Sequence, residues 1–250
     1  MSKRILIAGE SWSSTTVHVK GFDSFVTSNY AEGVKWLRDA FESGGYEVVF
    51  MPNHMAADSF PKTIEEMQKF DVILLSDIGT NTLLLNNQVF VAGQRLPNRC
   101  DLLREYVLNG GSLVMVGGYM TFSGIDAKGR WGTTAVADVL PVDLLDVDDR
   151  SENPQGVTPE IKITDHPVFE GIPGTWPFFL GYNKTIANPG KGTVIATIGG
   201  DPFVAVGEFG KGRGAVFTSD CAPHWAPVEF CDWEYYARFW CNLANWLIKK

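Results

Sequence analysis

The chain contains short runs that are apolar at almost every position, separated by segments with helical spacing. They are Ile5–Ala8, Val48–Met51, Val72–Ser76 and Ser112–Val116. A strand with one wet face alternates apolar and polar residues, so runs like these must be covered on both faces. Their alternation with helices predicts a doubly wound, mostly parallel sheet. The first helix is expected from Asn29, whose side chain can cap while Glu32 reaches back; Tyr30, Val34, Leu37 and Phe41 make its stripe, and Gly44-Gly45 ends it. A second runs from about Asn98 to Leu108, burying Leu103, Tyr106 and Val107 before Gly110-Gly111.

Past Gly124 the alternation fades into a Pro/Gly-rich stretch reaching about Pro189, read as an excursion over the sheet within one domain spanning 1–250. A short strand is expected at Glu160–Ile163. Next come Val194–Ile198, Phe203–Val206 and Ala215–Thr218, which carry antiparallel hairpin signals. Between the last two, Gly210-Lys211-Gly212-Arg213-Gly214 lacks the Lys-Ser/Thr ending of a phosphate loop and reads as a turn. The chain closes with a helix from about Asp232, with Trp233, Tyr236, Trp240, Leu243 and Leu247 on one face and Lys249-Lys250 at the negative end of its dipole.

Composition excludes several classes of function. A net charge of -8, from 21 basic and 29 acidic residues, repels phosphate backbones, so nucleic acid is not an expected partner. No apolar run approaches the ~18 residues of a membrane span, so no membrane partner is expected either. The run after Lys3-Arg4 is too short for a secretory signal. Cys100, Cys221, Cys231 and Cys241 form no CxxC pair and no Cys/His ligand spacing; we expect no metal site, no cofactor and a cytoplasmic location.

Ligands of open parallel sheets bind outside the carboxyl ends of the strands. Four such ends are rich in polar and aromatic residues: Gly9-Glu10-Ser11-Trp12, Asp77-Ile78-Gly79-Thr80, the run from Gly117 to Phe122, and Asp220-Cys221-Ala222-Pro223-His224-Trp225. They predict a cleft for a small polar molecule, with Glu10, Ser11, Trp12, Asp77, Gly117, Gly118, Asp220 and Trp225 as candidate binding residues. The glycines also have a plainer reading as tight-turn residues.

Gly117-Gly118-Tyr119-Met120-Thr121-Phe122-Ser123-Gly124, with Trp131-Gly132-Thr133-Thr134, Val139-Leu140-Pro141-Val142, the run Asp165 to Ile172, and Asp220 to Trp225, resembles the glutamine amidotransferase-like family of the class I glutamine amidotransferase superfamily. The resemblance covers nearly the whole chain. It implies a flavodoxin-like three-layer α/β/α sandwich, whose working members carry a cysteine on the elbow after a central strand, a histidine that activates it and a glutamate that orients the histidine. Here the elbow reads Gly117-Gly118-Tyr119-Met120, with no thiol or serine. His224 stands where the base is expected, but Ala226 occupies the place of the usual acid, and Glu229 could serve only if the loop folds back.

Cys221, three residues before His224, and Tyr119 are the remaining catalytic candidates, although a phenol with an ordinary pKa near 10 is a poor nucleophile. The expected function is a degenerate amidotransferase-like protein that binds a small polar ligand or a partner. The alternative is a hydrolase or amidotransferase-type enzyme using His224 with Cys221, Tyr119 or an activated water. Trp225, Phe230, Trp246 and the Trp176–Phe179 cluster cannot all share the last helix's buried face, which predicts a homo-oligomer held through the excursion or the C-terminal segment unless the excursion buries them internally.

Overall fold

Cover on both faces is what the apolar runs receive. The computed structural model describes residues 3–248, so Lys249 and Lys250 lie outside the described residues. In chain order the strands are β1 (Arg4–Gly9), β2 (Ser11–Lys20), β3 (Asp23–Glu32), β4 (Glu47–Met51), β5 (Val72–Ser76), β6 (Ser112–Val116) and β7 (Val142–Leu144). They continue with β8 (Arg150–Val157), β9 (Glu160–Ile161), β10 (Phe179–Asn183), β11 (Thr185–Ala187), β12 (Thr193–Ile198), β13 (Asp201–Phe209) and β14 (Gly212–Phe217). Eight of them form one sheet in the order β4-β1-β5-β6-β14-β13-β12-β9. From β4 to β14 neighbours run parallel, and from β14 to β9 they run antiparallel. The fold is a flavodoxin-like α/β/α sandwich with antiparallel strands from the C-terminal half.

Successive side chains of each inner strand enter opposite layers. Ile5 and Ile7 pack with Leu37, Phe41 and the closing helix Tyr236–Ile248, while Leu6 and Ala8 pack with Leu103, Tyr106 and Trp131. Each large side chain fully buried this way contributes about 1.5–3 kcal/mol. The helix Arg99–Leu108 starts as its sequence requires, Asn98 accepting the Cys100 N–H at 3.0 Å, and buries Leu103, Tyr106 and Val107. The glycine-rich run around Lys211 is the β13–β14 turn, where Arg213 pairs with Glu208 at 2.9 Å and stacks 4.5 Å over Trp246.

One expectation is corrected, and one that the sequence left open is decided. The first long helix begins at Lys35, not Asn29; Asn29 and Tyr30 belong to β3, which pairs with β2 in a ten-residue antiparallel ribbon. Ser, Thr, Val and aromatic residues from Ser11 to Glu32 favour extended chain, and Gly21, at φ 64, supplies the turn. The aromatic surplus of the excursion and C-terminal segment is also largely internal: Trp176, Phe179, Trp225 and Phe230 are all buried, Trp246 is partly so, and Phe178 stays exposed. The largest group of exposed apolar side chains lies on the ribbon instead.

The sheet register prepares the site. Gly9 pairs with Ser76, Ser76 with Val116 and Val116 with Phe217, so four strands end on one level. The excursion returns above that edge as two small sheets, β8 with β10 and β7 with β11. Gly9 is indispensable to the row: its φ is 110, and a Cβ there would lie 1.8 Å from the Ser76 carbonyl oxygen. Backbone strain and overpacking each cost about 1–3 kcal/mol, so Gly9→Ala is expected to lower unfolding free energy by ~2–5 kcal/mol in urea titration. A change below 1 kcal/mol, about the size of an ordinary surface substitution, would contradict this register.

Candidate functional site

β1 and β5 leave the sheet through acidic residues in the left-handed region, Glu10 at φ 47 and Asp77 at φ 46. Side chains rarely adopt that conformation, and it costs on the order of 1–3 kcal/mol per residue. Glu10 is buried, its Oε2 accepting from the Ser76 hydroxyl at 2.5 Å and from the Cys221 thiol at 3.5 Å. Asp77 is partly buried, and its Oδ1 accepts the Met120 N–H at 2.9 Å. The two predicted glycines make these approaches sterically feasible. A Cβ on Gly117 would meet the Thr218 carbonyl oxygen at 2.4 Å, and one on Gly118, at φ 151, would meet Asp77 Oδ1 at 2.9 Å.

The loop after β14 carries His224 to this edge. Buried Asp220 places Oδ2 3.5 Å from Nδ1 of half-exposed His224, whose ring lies 4.7 Å from Trp12. The carboxylate beside the imidazole thus comes four residues before it, while Glu229 is exposed on the short helix Val228–Cys231. Ser11 anchors the ribbon, its hydroxyl accepting the Asn53 N–H at 2.8 Å.

A cavity of about 520 Å³ opens at this edge, lined by Asp77, Tyr119, Glu152, Pro154, Leu180, His224 and Trp225. That is the size range of small-molecule sites. Glu152 joins two of its walls, accepting from the Tyr119 hydroxyl at 3.1 Å and from Trp225 Nε1 at 2.9 Å. The Arg150 guanidinium lies 4.9 Å over the Tyr119 ring. Below the floor, Asn183 receives the Gly118 N–H at 3.0 Å and donates to Asp149 at 2.8 Å, while Asp149 accepts the N–H groups of Ser123 and Gly124. Sequence reading missed Glu152, Pro154 and Leu180; the Arg150-Ser151-Glu152 charge pattern was visible, but not the edge to which the excursion returns.

Burial and mutual repulsion raise the acids. Burial, with the charges of Asp220 and Asp77, holds Glu10 well above the usual carboxylate range, and burial with Asp220 pushes Asp77 to about 6. Burial raises Asp220 as well, against the His224 contact that lowers it. The hydrogen bond to Asp220 raises His224. Burial drives the Cys221 thiol well above its ordinary value, and its partners are Glu10 and Ser76, so it is a hydrogen-bond donor and not a thiolate at neutral pH. Tyr119 is raised by burial and Glu152, which keeps its phenol protonated. Of these shifted groups, Asp77, Tyr119 and His224 line the cavity.

Ligand atoms of Glu10, Asp220 and Cys221 lie within 4.8 Å of one another. A metal held there would have to displace the protons that burial stabilises on Glu10 and Cys221, since metal ligands bind deprotonated.

The family model described as putative glutamine amidotransferase, GATase1-like, matches residues 4–249. A cytoplasmic protein of Salmonella typhimurium is 43% identical, with a TM-score of 0.95 over 98% of this chain and 99% of that one. A second cytoplasmic protein, from Salmonella typhimurium LT2, is 44% identical, with a TM-score of 0.94 over 98% and 100%. A ThuA-like protein of Parabacteroides merdae shares the fold at 14% identity and a TM-score of 0.56, over 99% of this chain and 90% of that one. No curated protein matches the sequence.

Glu10, Asp77, Asp220 and His224 all shift upward, so across their titration ranges the folded chain holds more protons than the unfolded one. Their contribution to stability is full below the unfolded pKa values and is lost as pH rises through the folded ones, for Asp77 about 6. Glu10→Gln, which cannot ionise, should therefore gain stability relative to wild type as pH rises from about 5 to about 8. Urea titrations of both proteins read this difference, and a difference that shrinks with pH would contradict the assignment.

Proposed function

The chain belongs to the family described as putative glutamine amidotransferase, and from that premise we propose that this member binds a small polar ligand at the sheet edge and does not hydrolyse glutamine. The observation that carries the reading is the elbow after β6, Gly117-Gly118-Tyr119-Met120, which has no thiol or serine to form an acyl-enzyme and only a phenol that burial and Glu152 keep protonated. The neighbouring thiol, Cys221, is buried and hydrogen-bonded to Glu10, which removes the nearest substitute. Trp225, Tyr119 and Leu180 offer the ligand an apolar wall; Asp77, Glu152 and His224 offer it acceptors and one proton-exchanging ring. Neutral hydroxylated or amine-bearing molecules suit these walls better than anions, given the two carboxyls and the net charge of -8. A cytoplasmic place, expected from the cysteines, agrees with the names of the two Salmonella relatives.

Purified protein incubated with glutamine is expected to release no ammonia above the blank. Release that persists in Cys221→Ala, with contaminants excluded, would overturn the reading. Thermal-shift screening of polyols, sugars and amines should yield binders to wild type that His224→Ala and Trp225→Ala lose by at least about tenfold in affinity, because both side chains face the cavity.

A second reading rests on Asp77, raised to about 6 beside the His224 imidazole. A carboxyl raised to about 6 beside an imidazole whose pKa is raised by its acid partner can exchange a proton with a bound water, so the site has the parts for general acid–base hydrolysis. Under that reading His224→Ala lowers turnover of a hydrolysable ester or amide by ~10²–10⁴-fold while Cys221→Ala leaves it unchanged.

A further inference from the structure

The ribbon β2–β3 contains no Lys, Arg, Asp or Glu from Ser11 to Val19 or from Ser24 to Ala31, in a chain that is 20% charged. It still stands in solvent on both faces. Val17 is 62% exposed, Val19 70%, Val26 60% and Phe22 fully so. Register puts Val17 opposite Val26, Val19 opposite Ser24 and Ser13 opposite Tyr30, so the three valines and Tyr30 share one face. Exposed ribbons are normally guarded by charged side chains, and a solitary two-stranded ribbon is at best marginally stable in water. Among the described residues its polar and aromatic contacts with the body lie near its base, Ser11 with Asn53, Trp12 with His224 and Tyr30 with His54.

We propose that the ribbon is a dimerisation arm, laid along the body of a second copy of this chain while the partner's arm is laid along the first. The missing charge fits that occupant. Two copies at -8 repel each other, and an uncharged arm lets them touch without bringing like charges together. The area is adequate: a ten-residue ribbon is ~33 Å long and about 10 Å wide, and reciprocal exchange buries one face of each arm plus the matching body surface, ~1,300 Å² in all. Stable protein interfaces bury about 1,200–2,000 Å². Exchange about a two-fold axis closes the assembly at two copies.

Size exclusion with light scattering on the full chain tests this independently of any ligand. The expected mass is twice 27.6 kDa at micromolar concentration. Val17→Lys with Val26→Glu keeps a favourable cross-strand pair while charging the face, and should raise the dissociation constant at least ~10-fold. Val19→Lys, a single change near the tip, should weaken the dimer in the same direction, with circular dichroism confirming that both variants fold. A monomeric wild type, a mass at another multiple, or a dimer unaffected by both substitutions would overturn the proposal.

Discussion

Three carboxyl groups and one imidazole share the carboxyl edge of this sheet, and their burial there cannot be separated from proton uptake. Glu10 and Asp220 are almost wholly removed from water, and Asp77 sits close enough to raise Glu10. Removing a lone carboxylate from water costs far more than a hydroxyl and a thiol can return, so the group farthest from solvent keeps its proton. A neutral Glu10 can then accept from Ser76 and lie beside the Cys221 thiol without forcing out the charges that face the cavity. The loop after β14, and with it the position of His224, rests on that arrangement.

The scaffold holds the cluster by geometry more than by ion pairs. Strands ending on one level bring Glu10, Asp77 and the glycine elbow together, and the left-handed turns at both acids persist because the sheet beneath them is fully packed. Above, the excursion acts as a second wall. Asn183 and Asp149 tie the elbow to β8 and β10, and Glu152 fastens Tyr119 and Trp225 into one face of the cavity. Rigid backbone below and hydrogen-bonded aromatic side chains at the rim leave His224 as the half-exposed titrating ring of the site.

Much of this was legible in the sequence because inner strands have no polar alternative. Runs such as Val72–Ser76 and Ser112–Val116 can only be central, and once they are parallel the residues after them must converge. The ribbon was illegible for the opposite reason. Its residues from Ser11 to Glu32 favour extended chain but bury no face that would mark a strand, and Asn29, Tyr30 and Glu32 imitate a helix start. The acid beside His224 was sought after the histidine, following the family resemblance, whereas Asp220 precedes it. Glu152 lay beyond local pattern altogether, since its role depends on a long-range return of the excursion.

Where the proton sits is read directly by carboxyl carbon-13 NMR of selectively labelled protein. Glu10 is predicted to show the chemical shift of a protonated carboxyl at neutral pH and to titrate well above the usual glutamate value, while Glu10→Gln identifies its signal by deletion. A Glu10 signal that titrates near the ordinary value of about 4.3 would contradict the account at its base.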